Sequence, residues 1–270
     1  MVTRNRDRRE ARPEVQVDFG PTGGRIMERA GSQSSYTARL AESRAEIQAA
    51  QRLRFEVFNL ELKEGLPEAH LSGLDADVFD GVCDHLLVEE NSSGKIVGTY
   101  RMQTGLQAAL NHGYYSAQEF ELAPFEPQRA RIIELGRACV ASDHRNLSVL
   151  GLLWRGISDY AKKHGCRYLI GCSSLTSQDP QVGAAVYADL CHHYLAGPEF
   201  QTVPKPDWIC PVDRVAASAP KIPKLLRAYL AVGAKICGPP AIDRQFKTID
   251  FLTLFDFETL PPEVIRRYFS

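Results

Sequence analysis

Residues 131–151 read Arg-Ile-Ile-Glu-Leu-Gly-Arg-Ala-Cys-Val-Ala-Ser-Asp-His-Arg-Asn-Leu-Ser-Val-Leu-Gly. Ile132, Ile133, Leu135, Cys139 and Val140 give the first half the apolar content of a buried strand. Glu134 and Arg137 interrupt it. A buried strand tolerates a carboxylate and a guanidinium only if they pair or face a wet cleft, and the residues alone leave both readings open. Ser142-Asp143 breaks the run. A mostly apolar helical pattern then starts near Leu147 and continues through Leu150, Leu153, Trp154 and Ile157. A strand, a polar turn and a helix N-terminus in that order offer free backbone N–H groups to an anion or a carbonyl.

The rest of the chain sets the frame. Its 270 residues suffice for one good core, and 44% hydrophobic with 24% charged residues is the balance of a soluble globular protein. A formal net charge of −1 gives no global field for nucleic acid. No apolar run approaches the roughly 18 residues of a membrane span. The seven cysteines form no Cys-x-x-Cys pair, the pattern of free thiols in a reducing cytoplasm.

Residues 1–34 are rich in Arg, Gly and Ser and read as a loose basic arm. Arg4, Arg6, Arg8, Arg9 and Arg12 could touch an anionic surface, phospholipid or acidic protein, and otherwise make a solvated tail. The folded domain is expected over 35–270. Tyr36 to Ala41 reads as a strand and Glu42 to Asn59 as a helix, with Ile47, Ala50, Leu53 and Val57 on one face. Residues 61–83 form a long loop carrying Asp75, Asp77 and Asp80, with Asp84 just beyond, and connections of this length are usually functional or mobile. Cys83 to Val88 and Lys95 to Gln103 read as strands joined by the turn Asn91-Ser-Ser-Gly94. Gln107 to Phe120 is ambiguous. Arg167 to Cys172 is an expected strand, and Asp179-Pro180 opens a helix that runs to about Leu195. A proline-rich insertion follows at about 197–220. Then come a short helix from Pro223 to Val232, strands at Ala234 to Cys237 and Phe246 to Phe257, and a short helix after Pro262. That order makes an α/β fold with a mixed central sheet flanked by helices.

The residues resemble a family at this point. Arg54-Phe-Glu-Val-Phe58, Asp84-His-Leu86, Gly98-Thr-Tyr-Arg101 and Glu134-Leu-Gly-Arg137 stand in the order of four motifs of GNAT-fold acyltransferases. The branch they resemble uses acyl carrier protein: acyl-homoserine-lactone synthases, N-acyl amino acid synthases and ornithine N-acyltransferases. The long form, with Gly238-Pro-Pro-Ala-Ile-Asp243, is most similar to ornithine-lipid enzymes and their hemolysin-named relatives. The resemblance covers about residues 36–258. It implies a GNAT (acyl-CoA N-acyltransferase-like) fold and transfer of a 3-hydroxyacyl group from acyl carrier protein to the α-amine of ornithine. Other readings in view are an N-acyl glycine or acyl-homoserine-lactone-type synthase and, from another class, an acyl-binding or membrane-active protein.

On that resemblance Glu134 would take the amine proton, and Arg137 would hold the acceptor carboxylate or brace Glu134. Asp84 would bind a cationic end of the acceptor or orient Arg101, with Asp80 assisting. Arg54 and Phe58 would shape the pocket over the acyl chain. An ordinary GNAT acetyltransferase has a glycine-rich loop for the coenzyme A pyrophosphate. Here Arg145-Asn-Leu-Ser-Val-Leu150 has no glycine, and side chains at Ser148 and Leu150 stand where backbone would approach. Arg145 and Ser148 would then meet a phosphopantetheine arm, carried by a protein, instead of a nucleotide. No metal or redox cofactor is expected. Cys139 as an acyl-accepting nucleophile is disfavoured, because direct attack by an amine needs no covalent step. Cys191-His192-His193 is disfavoured as a metal site, because adjacent helical residues diverge in direction. The expected place is the cytoplasm, at the inner face of the membrane if the arm binds lipid.

Overall fold

The structure is a computed structural model that describes residues 34–213, 222, 224–260 and 262–268. The basic arm therefore lies outside the described residues except at Ser34, as does the end of the proline-rich segment.

Eight strands form one sheet: β1 (Tyr36–Leu40), β2 (Asp84–Glu90), β3 (Lys95–Thr104), β4 (Ile132–Val140), β5 (Tyr168–Leu175), β6 (Lys235–Ile236), β7 (Ala241–Asp243) and β8 (Thr248–Asp256). Their order is β1-β2-β3-β4-β5-β8-β6, with β7 also on β8. All neighbours are antiparallel except β4 and β5. The family expectation of a mixed sheet flanked by helices holds. The short strand β7 was not legible after Gly238-Pro-Pro240, and it makes a hairpin with β8.

The helices are α1 (Arg44–Arg54), α2 (Ala69–Ser72), α3 (Gly105–Leu110), α4 (Leu147–Lys163), α5 (Pro180–Tyr194), α6 (Lys224–Ala231) and α7 (Pro262–Tyr268). Local signals explain their ends. Ser43 and Glu46 close a capping box on α1. Asn146 caps α4, and Gly165 takes the left-handed φ of 63° that lets the chain leave that helix. α1 runs on as a π-helical turn over Phe55–Glu61, a local distortion often found at functional sites.

The inner strands are covered on both faces. Leu86, Tyr100, Met102, Ile133, Leu153 and Ile157 pack between the sheet and α4. On the opposite face Leu53, Val57 and Leu87 pack under α1. Phe120, Phe125, Ile132 and Ile170 fill the same face further along. A third cluster joins α5 and α6 to the far end of β8, through Leu190, Leu226 and Phe251.

Two irregularities in the middle of the sheet position the site. First, β4 and β5 pair only from Ile132–Tyr168 to Glu134–Ile170, although β4 continues to Val140 and β5 to Leu175. A wedge opens between them beyond Glu134. Second, Arg101 pairs with Gly136 and Thr99 with Cys139, so Tyr100 alone faces Arg137 and Ala138. This is a β-bulge whose first residue, Arg137, has φ 51°. It shifts the side-chain alternation by one. Ile133 and Leu135 face α4 before it, as do Ala138 and Val140 after it, while Cys139 turns to α1.

Candidate acyl-transfer site

Three residues apart on a regular strand, Glu134 and Arg137 would point to opposite faces. The bulge brings both to the face covered by α1, yet they do not pair there. Arg137 Nε donates to Asp75 Oδ1 at 3.1 Å and its Nη2 to Asp77 Oδ2 at 3.0 Å. Its guanidinium lies between the rings of Tyr115, at 4.8 Å, and Phe246, at 4.3 Å. Arg137 therefore braces the acidic loop and not Glu134.

The same loop receives two more arginines. Arg54 donates through Nε to Asp75 at 3.0 Å, and through Nη1 and Nη2 to the two oxygens of Asp80 at 2.9 and 2.7 Å. Arg101 Nη1 meets Asp77 Oδ1 at 2.5 Å and Asp80 Oδ1 at 3.0 Å. Gln51 adds a bond to Asp80 at 2.8 Å. Three guanidiniums thus face three carboxylates in a network buried between α1, β3 and β4. Burial pushes the Asp77 carboxyl up, but Arg101 and Arg137 more than offset it and hold it below the usual range. Burial acts the same way on Asp80, where Arg54 and Arg101 win.

This network corrects two sequence expectations. Arg54 is 0% exposed and Asp80 4%, and the side-chain hydrogen bonds of both are spent within the network. Both tie the acidic loop to α1 and β3. Phe58 is half-buried against the apolar cluster under α1. Asp84 does not orient Arg101. It lies opposite Met102 on the α4 face, while Arg101 lies opposite His85 on the other. There Asp84 accepts from Tyr160 at 2.6 Å and Gln107 at 3.1 Å.

Glu134 heads the wedge. Its Oε2 accepts from Gln103 Nε2 and Tyr115 N, both at 2.7 Å. Its Oε1 accepts from Ser116 N at 2.7 Å and Ser116 Oγ at 2.5 Å. Four donors fill the lone-pair directions of the carboxylate and fix its orientation. A small cleft lined by Cys83, Arg101, Gln103, Tyr115, Glu134 and Gly136 opens beside it. Tyr115 and Ser116 escaped the sequence reading because Gln107 to Phe120 carried no clear period, while Gln103 stood at the end of an expected strand, outside the motifs.

At the far side of the wedge, Arg145 makes a double ion pair with Glu61, at 2.5 and 2.6 Å, and donates to Val140 O. Asn146 Oδ1 accepts from both Ser148 N and Val149 N at 3.0 Å. Ser148 itself is exposed on the first turn of α4. Cys139 is buried in the α1 cluster, and burial pushes its thiol far up, away from the thiolate a nucleophile needs.

The chain's sequence places this geometry in a family. Residues 53–155 match the family described as "Acetyltransferase (GNAT) domain". An L-ornithine N(alpha)-acyltransferase of Agrobacterium fabrum strain C58 is 36% identical over 245 residues, covering 85% of this chain and 84% of the relative. One of Brucella abortus strain 2308 is 33% identical, covering 94% of this chain and 95% of the relative. The chain belongs to the L-ornithine N(alpha)-acyltransferase family. It is an acyltransferase with the GNAT fold. Among solved structures, the AHL synthase LasI superposes with a TM-score of 0.53 at 12% identity, covering 89% of this chain and 98% of that one. FeeM, an N-acyl amino acid synthase from uncultured soil microbes, superposes at 0.51 and 12%, covering 86% and 93%. At such identities these two likenesses speak for the fold alone.

Two outcomes follow for stability. Arg54→Ala strands Asp75 and Asp80 without their main cation, and loss of about 3–5 kcal/mol is expected in urea unfolding. An unchanged midpoint would mean the network is solvated. The second concerns Glu119 and Asp250, buried side by side without a cation. Burial raises the Glu119 carboxyl well above its ordinary value and Asp250 to about 6. A carboxyl raised in the fold adds stability below its unfolded value of about 4, and that stability is lost as pH rises through the folded value. His85, lowered by burial, works in the opposite sense. The difference between wild type and Asp250→Asn isolates the acid pair. It should grow in favour of wild type as pH falls from about 7 to about 5, read from thermal unfolding over that series.

Proposed function

We propose that the chain transfers a 3-hydroxyacyl group from the phosphopantetheine thioester of acyl carrier protein to the α-amine of ornithine, giving lyso-ornithine lipid. The wedge between β4 and β5, with a bulge on its rim, carries this reading. At the bulge Arg137 and Ala138 share one partner residue, which disrupts the ladder there, and a backbone N–H of the bulge is the proposed donor to the thioester carbonyl. The donor enters the wedge beside the bulge, and the amine attacks the carbonyl directly. The C–N bond forms, the C–S bond breaks, and the thiolate leaves and takes a proton from solvent. Holding both substrates in one cleft supplies much of the rate through proximity.

Glu134 is the proposed acceptor of the amine proton. Because its lone pairs are full, the proton moves through Ser116, whose Oγ receives it while passing its own to Oε1.

The donor is assigned to the carrier protein for a physical reason. A pyrophosphate would need the free N–H groups at the start of α4, but Asn146 already caps Ser148 and Val149, and Glu61 neutralises Arg145. A protein-borne arm has one phosphodiester and asks for less. Among the described residues no helix is long and apolar enough to cross a membrane. The basic arm at 1–34 is the proposed contact with the inner membrane face, where the lipid product would collect.

With 3-hydroxyacyl donors of equal chain length, kcat/KM for the acyl carrier protein form should exceed that for the coenzyme A form by at least about tenfold. Equal values would remove the donor assignment. Glu134→Gln should lower kcat about 10²–10⁴-fold and Ser116→Ala should follow it in direction, with ornithine product quantified by mass. Wild-type kcat in both variants would leave Glu134 as an anchor of the 115–116 turn only.

A further inference from the structure

Three buried carboxylates lie outside the arginine network. Glu119 follows the turn that binds Glu134, Asp243 ends β7, and Asp250 lies on β8. One oxygen of each lies within 4.8 Å of the other two. All three residues are 2–3% exposed, and none has a cationic partner within ion-pair distance among the described residues. Glu119 Oε2 and Asp250 Oδ1 are buried and accept from no donor on the other described residues, and the two carboxyls bond to each other only where one of them holds a proton. Thr248 donates to the other oxygen of Asp250, and the N–H groups of Gln245 and Phe246 hold Asp243 Oδ1. Carboxylates this close repel strongly in a low-dielectric interior, and orphaned acceptors add a desolvation penalty. Such an arrangement calls for a cation that is absent from the chain itself.

The cluster's place says which cation. Glu119 N bonds to Ser116 O, so the turn that gives Ser116 to Glu134 also delivers Glu119 to the cluster. Phe246, whose N–H holds Asp243, stacks on Arg137 at the bulge. Cys172 Sγ lies 3.9 Å from Glu119 Oε1. Cys172 faces the same side as Ile170, the partner of Glu134, two residues further into the wedge. Strand geometry puts the Cα atoms of Glu134 and Cys172 roughly 8 Å apart. The acids therefore flank the β5–β8 side of the wedge, a short reach from the proposed proton acceptor.

We propose that Glu119, Asp243 and Asp250 bind the side-chain ammonium of the amino-acid acceptor and so select ornithine over neutral amino acids. This rests on the reading of the acceptor given above. An ammonium has three N–H donors for three carboxylates. At about 2.8 Å, tetrahedral directions place its acceptors roughly 4.6 Å apart, within the cluster's span. A calcium or magnesium ion would complete its shell of six or more oxygens with water, and the experiment below separates that occupant from an ammonium. The α-carbon and three methylenes of ornithine would span from the cluster to the α-amine beside Glu134. Burial and mutual repulsion favour protonation of Glu119 and Asp250 in the empty site, so binding should expel protons.

The test compares ornithine with norvaline, which lacks only the δ-amine. In wild type, kcat/KM should favour ornithine, and in Glu119→Gln and Asp250→Asn the ornithine-to-norvaline ratio should fall about 10²-fold, mainly through KM for ornithine. The ratio is internal to each variant, so partial loss of folded protein does not move it. If a variant does not fold, calorimetry on wild type in two buffers of different ionisation enthalpy replaces it, with proton release near pH 6–7 for ornithine and none for norvaline. An unchanged ratio, or no proton release, overturns the assignment. So does a ratio that collapses after dialysis against EDTA and returns with added calcium or magnesium, which would make the cluster a metal site. A wild-type enzyme that acylates another amino acid but not ornithine sinks the proposed function itself, a different result from an ornithine enzyme with an unaltered ratio.

Discussion

The buried arginine–aspartate network is the constraint on which the rest of the site depends. Arg54 comes from α1, Arg101 from β3 and Arg137 from β4, and all three converge on Asp75, Asp77 and Asp80 of one loop. Ala69 and Phe79 are its buried apolar anchors, while Leu62, Leu71 and Val78 stay exposed, so hydrophobic burial holds it only in part. Charge does the rest, and only because the count is balanced and the geometry bidentate. The network also stabilises the bulge. A non-glycine residue in the left-handed region costs about 1–2 kcal/mol, and Arg137 recovers that through two carboxylates and two aromatic faces. Were Arg137 unpaired, β4 would have little reason to slip its register against β3 there.

The chain places carboxylates in two opposite settings a few residues apart in space. Asp77 and Asp80 are surrounded by guanidiniums and stay ionised. Glu119 and Asp250 have no such partner and hold protons toward neutral pH. Burial is shared, so the difference is the presence of a fixed cation. Structure that needs permanence uses arginine, which does not lose its proton. The proposed ammonium site leaves the cationic place to its ligand.

Much of the fold was legible before the coordinates. The 3.6-residue period of Leu147 to Lys163, the hairpin at 91–94 and the apolar run of β4 each gave the right element, because local burial patterns decide them. The motif residues were also the right ones to notice, but their partners were not. Glu134 and Arg137, three residues apart in one strand, read equally as a pair or as charges facing a wet cleft. A bulge cannot be read from residue types when its left-handed position is an arginine and not the neighbouring Gly136. Asp84 and Asp80, four residues apart in a loop, looked like one acidic group, whereas Val78–Gly81 is a 3₁₀ turn that ends before β2 and sends them to opposite faces of the sheet. Glu119, Asp243 and Asp250 come together across more than a hundred residues, and no spacing announces that.

The two ends of the wedge differ in how they treat charge, and this orders the substrates. At the α4 end the chain satisfies its own anion-binding groups, with Asn146 on the helix N–H groups and Glu61 on Arg145. At the β8 end it leaves acidic groups unsatisfied. A donor whose affinity came from phosphates would have to break the first set of bonds, while an acceptor with an extra ammonium gains by completing the second. In the proposed reading, specificity for the acceptor resides in buried charge, where loss of a partner is expensive, and recognition of the donor falls to a protein surface outside the wedge. Between them, β4 and β5 are joined over three residue pairs only. In the proposed reaction, that short seam leaves one cleft in which both substrates can meet beside the bulge.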